Sequence, residues 1–147
     1  MSEHRVTIIW RRTSPDFKYE DYNREHSWSF DAGIRVQASA APAFRGTPDC
    51  VDPEEAFVAS LSSCHMLTFL AVASRKRILV DSYEDAAVGF MEKNAQGKLA
   101  VTRVVLRPRV QFGGSGTPSK EEIARLHEAA HQECFIANSV LTVVTVE

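Results

Sequence analysis

DPEEAFVASLSSCHMLTFLAVASRKR, residues 52–77, is the stretch whose reading decides the fold. Asp52 can cap free N–H groups, Pro53 suits the first helical turn, and Glu54 and Glu55 favour the positive end of a helix dipole, so a helix starts here. Phe57, Val58, Leu61, Met66, Leu67, Phe69, Leu70 and Val72 then occupy every side of the helical wheel until Arg75-Lys76-Arg77 ends it. A helix apolar all round is expected to be buried nearly all round. In a chain of 147 residues that cover has to come from a wrapping sheet or from a second copy of the chain.

Upstream, His4 to Arg12 alternates polar with apolar residues (Val6, Ile8, Trp10), the period of a half-buried strand. Glu25–Asp31 and Ile34–Ser39 read as a hairpin around Ala32-Gly33, and residues 40–52, with their Pro and Gly, as a loop. Downstream, Val80–Lys93 and Lys98–Phe112 read as one long hairpin around Asn94-Ala95-Gln96-Gly97. Ser119 and Glu122 form a capping box for an amphipathic helix through Ile123, Leu126 and Ala130 toward Cys134, and Val140–Val146 reads as a last strand. Strands followed by helices predict an α+β fold in one domain.

The net charge of -2, with 24% charged residues, offers no electrostatic footprint for nucleic acid. No uncharged run is expected to reach the ~20 residues of a spanning helix, so no membrane partner is expected. The opening MSEHRVTIIWRRTS lacks the pattern of a secretory signal, and a cytoplasmic location is expected. Three cysteines do not make a secreted disulfide scaffold; in a reducing compartment a pair among them would be transient or catalytic.

Cys64 lies mid-helix among apolar groups, where burial disfavours the thiolate, so its reactivity requires an imported positive group. Arg24, Arg45 and the adjacent His65 are the candidates. Cys134, at the C-terminal end of its helix, faces the negative end of the dipole, which suits a resolving thiol better than an attacking one. Cys50 is read as incidental. His127-Glu128-Ala129-Ala130-His131 matches the H-E-x-x-H zinc pattern and raises a zinc hydrolase as an alternative. Against it, the extended pattern would want glycine at 134 and histidine at 137, where Cys134 and Ala137 stand. His127 is otherwise expected exposed, and His131 partly buried and hydrogen-bonded.

Taken together, Asp52-Pro53-Glu54-Glu55 with Cys64-His65, and Ala130-His131-x-x-Cys134-x-x-x-Asn138-Ser139, resemble the two signature segments of the OsmC/Ohr family of thiol peroxidases (osmotically inducible protein C and organic hydroperoxide resistance protein). The resemblance extends over nearly the whole chain. It implies a single domain over residues 1–147, with a long buried central helix, an antiparallel sheet wrapped around it, and an intertwined homodimer. It implies reduction of organic hydroperoxides, with Cys64 as the peroxidatic thiol, Cys134 as the resolving thiol, and Glu54 orienting an arginine, Arg24 or Arg45, toward Cys64. No metal or bound cofactor is implied, only an external dithiol reductant such as one of lipoyl type. His65 departs from the apolar residue usual after the peroxidatic cysteine.

Ten residues of unbroken helix would part Glu54 from Cys64 by ~15 Å along the axis. Either the helix breaks near Ala59–Ser63, or a partner chain completes the site. A non-catalytic member that binds a lipid or other small molecule is the alternative from a different functional class.

Overall fold

The computed structural model describes residues 1–147. Backbone contacts divide the chain into two compact units, Met1–Ala56 and Phe57–Glu147.

In the first unit β1 (Val6–Ile9), β2 (His26–Phe30) and β3 (Arg35–Ala38) form an antiparallel meander, with Trp28 facing Ile8 on one side and Val36 on the other. The turn between β2 and β3 uses Gly33 at φ 76°, a backbone conformation glycine adopts without steric cost. β1 alternates as read but is not half-buried: Val6 and Ile8 are 51% and 54% exposed. The loop after β3 returns as a bridge between Ala38 and Val51. Gly46 makes that return possible. A Cβ there would sit 1.4 Å from the carbonyl oxygen of Ala40, a backbone atom that cannot step aside. Gly46→Ala is expected to cost more than about 3 kcal/mol, read as a lowered urea midpoint.

The helix read from residue 52 is present as α1 (Pro53–Arg75). Its start is a reciprocal cap: the Glu55 N–H donates to Asp52 Oδ1 at 2.8 Å and the Asp52 N–H to Glu55 Oε2 at 3.2 Å. α1 runs without interruption, which removes the break considered between Ala59 and Ser63. Two expectations about it are corrected. Ala56–Ser74 carries no Asp, Glu, Lys or Arg, and by length and mean hydropathy (1.7) α1 alone would pass for a membrane span, contrary to the reading that no run comes near that length. Nor is it buried all round. Leu61, His65, Phe69, Val72 and Ala73 form one buried face, while Leu67 on another is 60% exposed. One sheet layer and one helix can cover only part of a cylinder that is apolar on every side.

In the second unit the long hairpin pairs as read but is broken at its middle. β4 (Val80–Asp85) pairs with β7 (Pro108–Phe112), and β5 (Val88–Lys93) with β6 (Leu99–Leu106), in separate sheets. Two side-chain choices make the break. Pro108 brings no N–H to the ladder, and the Arg107 N–H donates to Asp85 Oδ1 at 2.6 Å instead of to a strand. The capping box is confirmed in both directions at Ser119 and Glu122, starting α2 (Lys120–Glu133), whose C-cap is Cys134.

β8 (Val143–Val146) is shorter than read and pairs parallel with β6, so the cover is not purely antiparallel. Phe69, Val72 and Ala73 of α1 pack with Leu126 and Ala130 of α2 beneath Val80, Tyr83, Val110 and Phe112. Leu61 packs with Val104 and Leu106 of β6 and with Val144 and Val146 of β8.

Candidate functional site

Cys64 is half-buried on α1, and Cys134 is almost fully buried, at 1% exposure. The two thiols are neighbours, close enough for Cys64 to influence the Cys134 thiol. Cys134 owes its place to the signature residues that follow it. Asn138 Nδ2 donates to the Gln132 carbonyl at 2.9 Å and the Ser139 hydroxyl to the Phe135 carbonyl at 2.7 Å, winding the chain into a short 3-10 turn after the helix. That turn aims the Ala137 N–H at Cys134 Sγ, 3.5 Å away.

Burial pushes the Cys134 thiol up from its ordinary pKa, and the neighbouring Cys64 acts in the same direction. The N–H groups of Ala137 and Ile136 pull the other way. Sequence alone gives Cys134 the unfavourable end of a helix dipole; the structure adds N–H donors that partly offset it.

His65, next to Cys64, is not the imported cation. It is 1% exposed, and burial first, then His127 and His131, hold its pKa down at about 4 against the opposing pull of Asp85, so it is neutral at pH 7. Its Nε2 meets His127 Nδ1 at 3.0 Å, with the rings 8° from parallel. With Nε2–H of His65 as donor, the buried Nδ1 is left as an unpartnered acceptor; the opposite tautomer would strand a donor there.

His127 also lies 4.5 Å, ring to ring, from Phe69, and burial lowers its pKa. It is therefore half-buried and paired, not a free surface residue. His131, expected to be hydrogen-bonded, has a buried Nδ1 with no partner. No three His, Cys, Asp or Glu side chains converge as metal ligands, so His127, Glu128 and His131 do not assemble a zinc site. The His65–His127 pair was not legible in sequence, where each histidine was weighed apart.

The remaining site residues belong to the first unit. Arg24 is half-buried. Its guanidinium donates to the carbonyls of Tyr22 and Tyr19 at 2.6 and 2.5 Å and lies over their rings at 4.0 and 5.0 Å. Two of its five donors are used, so the rest stay available. His26 holds the Arg24 backbone: its Nδ1–H donates to the Arg24 carbonyl at 2.8 Å while Nε2 accepts from Trp28 Nε1–H at 2.9 Å.

Arg45 is exposed, takes the left-handed conformation at φ 64°, and approaches only the Tyr19 ring, at 5.9 Å. Neither arginine pairs with Glu54, which makes no ion pair or hydrogen bond in the single chain. Ile8, Trp10, Phe17 and Tyr22, with Arg24 and His26, line an open, mostly apolar cleft of about 650 Å³. Cys50 is part-exposed in the loop, its N–H bonded to the Thr47 carbonyl and its thiol unpaired.

Comparison with solved structures gives a near-complete superposition on an OsmC-like protein of unknown function from Vibrio cholerae. The identity is 49%, the TM-score 0.96, and the match covers 100% of this chain and 99% of that one. The organic hydroperoxide resistance protein of Elizabethkingia anophelis shares the fold at 19% identity (TM-score 0.70, covering 99% and 97% of the two chains). So does OhrB of Bacillus subtilis at 18% identity (TM-score 0.67, covering 99% and 97%). Comparison with the curated proteins gives no match. The model of OsmC-like proteins matches residues 46–147, a span that holds α1, Cys64, α2 and Cys134. The chain belongs to the OsmC-like protein family and has the OsmC/Ohr fold.

Proposed function

We propose that this chain is a cysteine-based peroxidase that reduces organic hydroperoxides. The observation that carries the reading is a pair of neighbouring thiols, one half-exposed on α1 and the other buried at the C-cap of α2. The Cys64 thiolate attacks one oxygen of the O–O bond. That bond breaks, the alcohol leaves with a proton, and Cys64 becomes a sulfenic acid. Cys134 then attacks the oxidised sulfur, the S–O bond breaks, and water leaves as the Cys64–Cys134 disulfide forms. An external dithiol, of lipoyl type, restores both thiols by exchange and takes up the oxidation.

The unequal environments suit this order. Cys134, whose pKa burial raises, waits as a thiol until a sulfenic acid is beside it. The thiolate of Cys64 needs a cation, and neutral His65 does not supply one. Arg24 is the better candidate than Arg45 because it is half-buried, held by two carbonyls and two rings, and still has free donors. Glu54 and the arginine of one subunit would face Cys64 and Cys134 of another in a homodimer. The exposed apolar residues Ile8 and Leu67 support that arrangement. A cytoplasmic setting, where dithiols are kept reduced, fits the chemistry.

Reduced protein treated with stoichiometric cumene hydroperoxide is expected to yield a Cys64–Cys134 disulfide peptide by mass spectrometry, and to turn over when dihydrolipoamide is supplied. A free Cys64 thiol after that treatment would sink the reading. The aromatic cleft beside Arg24 favours the second reading, a non-catalytic member binding a lipid or other small apolar molecule, for which no disulfide would appear.

A further inference from the structure

Cys64 and His65 are consecutive on α1, so their side chains leave the helix roughly 100° apart. On α2, His127, Ala130 and Cys134 follow at i, i+3 and i+7 and share one face, with His127 and Cys134 about 10 Å apart along the axis. Yet Cys64 neighbours Cys134, and His65 meets His127 at 3.0 Å. α1 therefore lies across α2, and the fully buried Ala130 packs in one cluster with Phe69, Val72 and Ala73 of α1. Pivoting is resisted by the packing of Leu126 and Ala130 against Phe69, Val72 and Ala73 and, beside Cys64, by the His127 ring, which rests on both His65 and Phe69.

The bond is also the one hydrogen bond that the His65 ring makes. His65 is 1% exposed and its Nδ1 has no partner, so losing His127 would leave both ring nitrogens buried and unsatisfied. Of the groups near the pair Asp85 is already engaged, while the Tyr83 hydroxyl and His131 Nδ1 are themselves without a partner. Asp85 accepts from Ser62 Oγ and the Arg107 N–H, and Tyr83 and His131 donate nothing to it.

We infer that the His65–His127 hydrogen bond is a positioning clamp that sets the approach of Cys134 to Cys64 and so governs how fast the disulfide closes. The inference rests on the two-thiol chemistry proposed above, but its test does not need a peroxide. In a Cys50→Ser background, 4,4′-dithiodipyridine is attacked by Cys64, releasing one thiopyridone and leaving a mixed disulfide. Cys134 then attacks the Cys64 sulfur and expels the second thiopyridone, so two thiols supply the two electrons that reduce the reagent.

The first release reports access to Cys64 and the second reports closure. His127→Leu and His127→Phe, of different bulk and both unable to hydrogen-bond, are expected to slow the second release about tenfold or more, with the first within about twofold of the parent. His127→Asn, whose amide can take the place of Nδ1, is expected to restore most of the closure rate. Loss of packing alone would not give that split or that rescue.

Closure within about twofold of the parent in whichever of the Leu and Phe variants folds, or an Asn variant as slow as these, overturns the clamp. If cumene hydroperoxide leaves wild-type Cys64 reduced while closure by the pyridyl reagent still depends on His127, the peroxidase reading falls and the clamp stands.

Discussion

Cys64→Ser is expected to lower hydroperoxide turnover at least about a thousandfold with the fold intact. A serine hydroxyl at neutral pH is almost wholly protonated and a far weaker nucleophile than a thiolate, and no neighbouring base is placed to activate it, since His65 directs Nε2 to His127. Cys64 is only half-buried, and oxygen for sulfur is a small change of volume, so the urea midpoint should shift little. The measurement is steady-state consumption of cumene hydroperoxide with dihydrolipoamide, beside a denaturation curve. Turnover retained within tenfold would assign the chemistry elsewhere, Cys50 being the remaining part-exposed thiol.

Acid is expected to destabilise the fold through His65 well before its carboxylates titrate fully. The folded pKa, about 4, lies below the ordinary 6.5, chiefly because burial disfavours the charged ring. Above pH 6.5 both states hold a neutral imidazole and the full stability is present. As pH falls from 6.5 toward 4 the unfolded chain takes up a proton that the folded chain refuses, so stability drops over that window, by roughly 3 kcal/mol at its lower end. His127, lowered in the same direction, adds to the loss. Urea midpoints at pH 7 and pH 4.5 should show the fall in the parent and a distinctly shallower one in His65→Leu. Equal slopes in the two would remove His65 from the account.

The helix start at Asp52, the capping box at Ser119 and most strand positions were legible because each is dictated by local chemistry. Asp52 and Glu55 cap each other wherever the rest of the chain goes. The break in the long hairpin was not, because it depends on Asp85 meeting the Arg107 N–H across the pair, a contact no periodicity records. The burial of α1 was over-read for a related reason. Hydropathy shows which residues would gain from cover, and Leu67 would, but it does not show that one chain has enough surface to provide it. At the site, the two cysteines were legible from the residues around them. The His65–His127 pair was not: it joins residues 62 apart, and in sequence His127 belongs to a zinc-like pattern that diverts attention from its real partner.

The parallel pairing of β8 with β6 also bears on time. Arg103 faces Val143, so everything between them, α2 included, has to be gathered before the first ladder bond forms. The β5–β6 hairpin, closed by a tight turn at Asn94–Gly97, faces no such delay. Cys134 sits inside the late-closing segment, on the way from α2 to β8. The loop that β8 closes on β6 therefore contains the whole stretch that carries Cys134, whereas Cys64 lies outside it, on α1.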